Sequence, residues 1–133
     1  MTTGVVDWSH HASWSRDPAN VQLARRFVSE RLAEHGENDL LDAGRLVVTE
    51  LATNAIRHAR ADVRVGLSRT DDQVLLRVHD GSPSRPRLRH TSPESDDGRG
   101  FATVERVTTG WGITDESDGG KRVWARFGGR QER

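Results

Sequence analysis

Val47 to Asp62 reads "VVTELATNAIRHARAD". Glu50, Asn54 and His58 fall at steps of four, which stacks side chains on one face of a helix. At about 100° per residue, Leu40, Gly44, Val47, Val48, Leu51 and Ala55 form one apolar arc. Arg45, Thr49, Thr53 and Arg60 lie opposite. Glu50 and Asn54 sit at the border of the arc with Arg57 near them, and His58 falls inside it. A helix of this pattern packs on a sheet and turns its border residues toward whatever cleft runs beside it. Asn38 or Asp39 is the expected cap, and the helix is predicted to run to about Ala59.

Upstream, Asp17-Pro18 reads as an N-cap followed by proline at the first helical position. Ala24, Phe27, Val28 and Leu32 follow at helical spacing, and Gly36 is a natural stop, so a first helix spans 18–35. Ahead of it, Val5, Val6, Trp8 and Trp14 are compatible with an edge strand in a short N-terminal arm, 1–16. His10 and His11 are adjacent; in a strand they point to opposite faces and do not share one metal ion.

Downstream, Val63, Val65 and Leu67 alternate with polar residues, and Val74, Leu76 and Val78 do the same. Thr70-Asp71-Asp72 turns between them, which predicts an antiparallel hairpin. Asp80 continues the parity of 74, 76 and 78, so it points to the core face at the strand's end. A carboxylate there is costly unless something hydrogen-bonds it. Residues 82–98 hold three of the four prolines and show no period, the pattern of a long loop that is either a functional lid or disordered. "GRGFATVERVTT" opens with two glycines and then forms a short helix through Phe101, Val104 and Val107. "GWGIT" and "RVWARF" close the chain as a second hairpin. Trp124 is out of phase with Val123, Ala125 and Phe127; outer face and partner interface are both open to it, and core packing is the better reading.

The helices come as a set and the strands in hairpins. That order predicts one α+β domain over 1–133, a two-layer sandwich with helices on one face of a mixed, mostly antiparallel sheet. No phosphate-loop or dinucleotide-binding glycine motif is present. Lys+Arg and Asp+Glu both number 20, which leaves no electrostatic case for a nucleic-acid or anionic-membrane partner. The absence of cysteine excludes disulfides and zinc-thiolate sites. With no apolar run of membrane-spanning length and no signal-peptide pattern at the N-terminus, a cytoplasmic location is expected.

"ELATNAIRHA", "HDGSP", "DDGRGF" and "GGKRVWARF" occur in that order. Together they resemble the GHKL, or Bergerat-type, ATP-binding domains of gyrase, MutL and histidine kinases. The likeness runs from about residue 18 to 128 and is greatest to the anti-sigma-factor branch of RsbW and SpoIIAB-like serine kinases. The resemblance implies ATP and Mg²⁺ as cofactors and an ATP lid at 82–99. It implies that Asn54 binds Mg²⁺ through a hard amide oxygen, with phosphates and waters completing the shell. It gives Glu50 the task of orienting or deprotonating the attacking hydroxyl. Asp80 matches the aspartate that accepts from the adenine amino group. The family often shows DxGxG, whereas Ser82 here replaces the first of those two glycines. Gly98-Arg99-Gly100, followed by Phe101, resembles the glycine motif that ends the lid, with amides and Arg99 available to phosphate. Lys121 stands where a threonine often helps hold the adenine. Arg57 either approaches phosphate or is solvated, and His58 reads as a structural histidine.

The function this implies is a Mg²⁺-dependent serine/threonine protein kinase that acts on an anti-anti-sigma, STAS-type partner and sequesters a sigma factor. The alternative is a binding module without turnover, which the Ser82 and Lys121 departures favour. A transducer ATPase or a histidine kinase needs further domains, which are not expected in a chain of 133 residues. Relatives often dimerise, so a homodimer is compatible.

Overall fold

The computed structural model describes residues 6–58, 62–80, 96–116 and 120–128, with the backbone alone of His58 and of 96–101. The elements run β1 (Val6–Trp14), a 3-10 turn (Pro18–Asn20), α1 (Val21–Glu34), a second 3-10 turn (Asn38–Leu40), α2 (Leu41–His58), β2 (Val63–Thr70), β3 (Gln73–His79), α3 (Asp96–Val107), β4 (Gly110–Asp115) and β5 (Lys121–Gly128). The strands form one sheet in the order β1-β2-β3-β5-β4. Every pairing is antiparallel, so the sheet has no parallel pair among the described residues. The arrangement is the α+β sandwich that the sequence predicts, with the helices on one side of the sheet.

Strand parity builds the core. Val65 pairs with Val78 and Leu67 with Leu76, while Val78 pairs with Val123, Leu76 with Ala125 and Val74 with Phe127. All of these are buried and share one sheet face. Against them lie Ala24, Val28 and Leu32 of α1, Val47, Val48, Leu51, Ala52, Ala55 and Ile56 of α2, and Val104 of α3. Fully burying an aliphatic side chain of this size is worth about 1.5–3 kcal/mol, so this layer drives the fold.

The helix ends follow from local chemistry. Asp17 Oδ1 accepts from the Ala19 N–H at 2.9 Å, with Pro18 next to it. Gly36, at φ 75°, ends α1. The Glu37 N–H donates to the Leu32 carbonyl at 2.8 Å and the Gly36 N–H to the Ala33 carbonyl at 3.0 Å, the hydrogen-bond pair of a Schellman motif. Glu37 then takes Arg69 of β2 at 2.9 Å, and Arg69 also reaches Asp7 of β1 at 3.6 Å. The connection between α1 and α2 is thus tied to the sheet.

Three expectations are corrected here. Asn38 and Asp39 do not cap α2 with their side chains. They lie inside a 3-10 turn entered from Glu37, whose carbonyl accepts from the Leu40 N–H at 3.0 Å. The third helix begins at Asp96, so Gly98 and Gly100 lie within its first turns and not ahead of it. Finally, Trp124 is not in the core. It is half-buried on the outer sheet face, opposite Gly112 of β4, where an added Cβ would lie 2.7 Å from the indole.

That outer face is cationic. Arg77 lies over Gly66 and Arg126 over Gly110, each filling the space that a side chain would otherwise need. Arg64 Nη2 is 3.0 Å from His79 Nδ1, and Arg122 pairs with Glu116 at 3.3 Å. Burial, and then the neighbouring Arg122, lower the pKa of Arg77 from its ordinary value. No helix among the described residues is long and apolar enough to cross a membrane.

Candidate nucleotide site

α2 packs against both β3 and α3. Its buried stripe is Val47, Val48, Leu51, Ala52, Ala55 and Ile56. Glu50 and Asn54 are half-buried at the margin of that stripe, one turn apart, and Thr53 and Arg57 are exposed beyond them. The carboxylate and the amide therefore stand side by side at a boundary between core and solvent. The side chain of His58 lies outside the described residues.

β3 delivers Asp80 to the same layer. Its predecessors Val74, Leu76 and Val78 face the helices, and Asp80, directly after the strand, is 1% exposed. The first residue of β5 lies beside it. The Lys121 N–H donates to Asp80 Oδ1 at 3.4 Å, and the Asp80 N–H donates to the Lys121 carbonyl at 3.2 Å. Lys121 is itself 4% exposed. A carboxylate is retained at such depth only where hydrogen-bond donors meet it, and this one meets a main-chain amide. The contact uses the backbone of Lys121, so it does not depend on which side chain stands there.

Gly98, Arg99, Gly100 and Phe101 occupy the first turns of α3. The amides of a helix's first turn have no partner within the helix and carry partial positive charge. Ser82 lies outside the described residues, as does most of the 82–99 segment expected to form a lid. The structure thus joins Asp80 to Lys121 by direct hydrogen bonds and sets Glu50 beside Asn54 on α2. It places the glycine motif at the start of α3.

His79 is a further buried polar residue at the end of β3. It is buried beside Asp80 but points to the outer sheet face, toward Arg64. Its phase relative to Val78 carried that signal.

The histidine kinase-like ATPase domain matches this chain over residues 14–127. A stretch of 56 residues is 38% identical to the signal transduction histidine-protein kinase AfsQ2 of Streptomyces coelicolor, covering 41% of this chain and 10% of that protein. The chain spans about a tenth of the length of this curated relative.

Proposed function

Starting from a chain that belongs to the histidine kinase-like ATPase domain family, we propose that it binds ATP with Mg²⁺ and phosphorylates a serine or threonine on an anti-anti-sigma, STAS-type partner, and that it sequesters a sigma factor. The observation that carries the ATP reading is Asp80, a carboxylate 1% exposed on the helix-facing side of the sheet. An exocyclic amine is a donor suited to such an acceptor, and the adenine amino group supplies one. The glycine-containing start of α3 suits the phosphates, whose charge complements the amides there. Arg57, Arg99 and Lys121 are the cations proposed to contact ATP beside it, with Ser82, Gly98, Gly100 and Phe101.

Asn54 fits Mg²⁺ by the chemistry of its donor, a hard amide oxygen at a half-buried position that leaves room for phosphate oxygens and water. Bound there, the ion would supply charge neutralisation at the phosphates. Glu50, one turn earlier on the same flank, is proposed to hold the incoming hydroxyl and take its proton as the oxygen attacks the γ-phosphorus and ADP leaves. A positioned base of this kind contributes about 10²–10⁴-fold in rate.

Lys121 favours a second reading. Its buried side chain stands in the layer that the adenine would enter, which suits a module that holds its partner without turnover. Following labelled γ-phosphate from ATP to a cognate STAS-type protein separates the two. The kinase reading expects transfer by wild type. Glu50→Ala keeps ATP affinity and loses transfer, and Asn54→Ala loses the Mg²⁺-dependent part of the affinity. A wild-type protein that binds ATP and partner but transfers nothing leaves the binding module standing.

A further inference from the structure

Two imidazoles and a carboxylate meet beside the edge strand, away from the nucleotide site. His10 stands on β1 opposite the buried Leu67, on the face that the helices cover. Glu34 is the last residue of α1 and His35 its C-cap. His10 Nε2 and His35 Nε2 are 2.9 Å apart, and one ligand atom from each of the three residues lies within 4.8 Å of the others. His11 takes no part, because it points to the opposite face of the strand.

We propose that His10, His35 and Glu34 form a binding site for a divalent transition-metal ion, with Zn²⁺ as the ion their chemistry fits. Two imidazole nitrogens and a carboxylate oxygen are a recognised zinc donor set, and three protein ligands leave a fourth tetrahedral position for water. The approach of the two rings is held from outside. The Trp8 indole stacks on His35 with centroids 4.2 Å apart and planes at 6°, and it meets His10 at 5.7 Å. Consecutive residues in an unbroken helix diverge around its axis, but His35 has left the helical conformation at φ −101° and ψ 13°. This departure, completed by Gly36, lets neighbours in sequence act together. Glu34 pairs with Arg31 at 3.0 Å, so Arg31 competes for the carboxylate and makes it the weakest of the three ligands. An ion here would fasten the edge strand to the end of α1 across 25 positions of sequence. The site uses none of the residues proposed to hold ATP.

The test is calorimetric titration of the tag-free full chain with ZnCl₂ in the absence of nucleotide. One saturable equivalent is expected. His10→Gln and His35→Gln should each weaken it by more than the ~10–100-fold that loss of an outer-shell partner costs. His11→Gln, on the same strand, should bind as wild type does. Zn²⁺ should raise the melting temperature of wild type and His11→Gln but not of His10→Gln, which also reports that each variant is folded. Ni²⁺ should quench tryptophan fluorescence in wild type, and Trp8→Phe should remove that quenching. The proposal is overturned if wild type shows no saturable Zn²⁺ binding. It is overturned equally if His11→Gln weakens binding as much as His10→Gln does, or if Trp8→Phe leaves the quenching intact.

Discussion

Asp80 and Lys121 hold each other through the main chain: the Lys121 N–H donates to Asp80 Oδ1 at 3.4 Å, and the Asp80 N–H donates to the Lys121 carbonyl at 3.2 Å. The pair joins the end of β3 to the start of β5 and fixes a carboxylate at 1% exposure. Asp80→Asn retains an oxygen to accept from Lys121, so the protein should fold. It also places an amide donor where the adenine amino group needs an acceptor. A mismatched buried polar group costs about 1–3 kcal/mol, so ATP affinity should fall roughly 5- to 150-fold. Calorimetry with ATP, on a variant whose melting curve resembles wild type, checks this. Unchanged affinity removes Asp80 from the adenine site.

Lys121→Thr addresses the same contact from the other side. The bond to Asp80 comes from the backbone, so threonine should preserve it, and ATP binding should persist, weakened only by the loss of the lysine's own contact. If Lys121→Thr abolishes ATP binding while Asp80→Asn does not, the lysine side chain and not the aspartate holds the nucleotide.

Gly44 tests the packing of α1 on α2. It is buried, and an added Cβ would lie 2.8 Å from Leu32 Cδ1 and 3.2 Å from Val28 Cγ1. Alanine in a helix interior gains about 0.8–1.0 kcal/mol of propensity over glycine. Overpacking a filled core costs about 1–3 kcal/mol. The two Leu32 and Val28 side chains are themselves fully buried, so neither can move away freely. Gly44→Ala should therefore be neutral to destabilising by about 2 kcal/mol, the difference of those two effects. In a Leu32→Ala background the same change should become stabilising, because the obstructing methyl is gone. A denaturant double-mutant cycle reads that reversal. A Gly44→Ala that stabilises both backgrounds equally shows that the helices are not in close contact there.

What the sequence made legible was what repeats locally. The alternation through Val63, Val65, Leu67 and Val74, Leu76, Val78 located both strands and their buried face, and the same parity placed Asp80 inward. The four-step spacing of Glu50 and Asn54 put them on a helix margin, where the structure has them half-buried. What stayed hidden depends on partners distant in sequence. Trp124 finds its cover over Gly112 only once β4 and β5 are paired. His10 meets His35 only once β1 forms the sheet edge beside α1. The start of α3 was obscured for a different reason. Gly98 and Gly100 lower helix propensity, yet Asp96 and Asp97 precede them, and acidic residues in a first turn complement the helix dipole.

Gly36 offers a test in which conformation acts without crowding. Its φ is 75°, and an added Cβ would have nothing within 4 Å. The space is open, so any cost of a side chain comes from the left-handed backbone alone, about 1–2 kcal/mol for an L-residue. Gly36→Ala should lower stability by that amount, or several degrees in Tm for a domain of this size. Asparagine tolerates the left-handed region better than alanine, because its short polar side chain bonds locally. Gly36→Asn should therefore cost less than Gly36→Ala although it is larger, the reverse of the order expected from steric crowding. The order also bears on the cluster at His35, since Gly36 completes the turn that brings His35 beside Glu34 and His10. Thermal melts of the two variants in metal-free buffer decide the matter. Equal losses for alanine and asparagine would show that the positive φ is not what the glycine supplies.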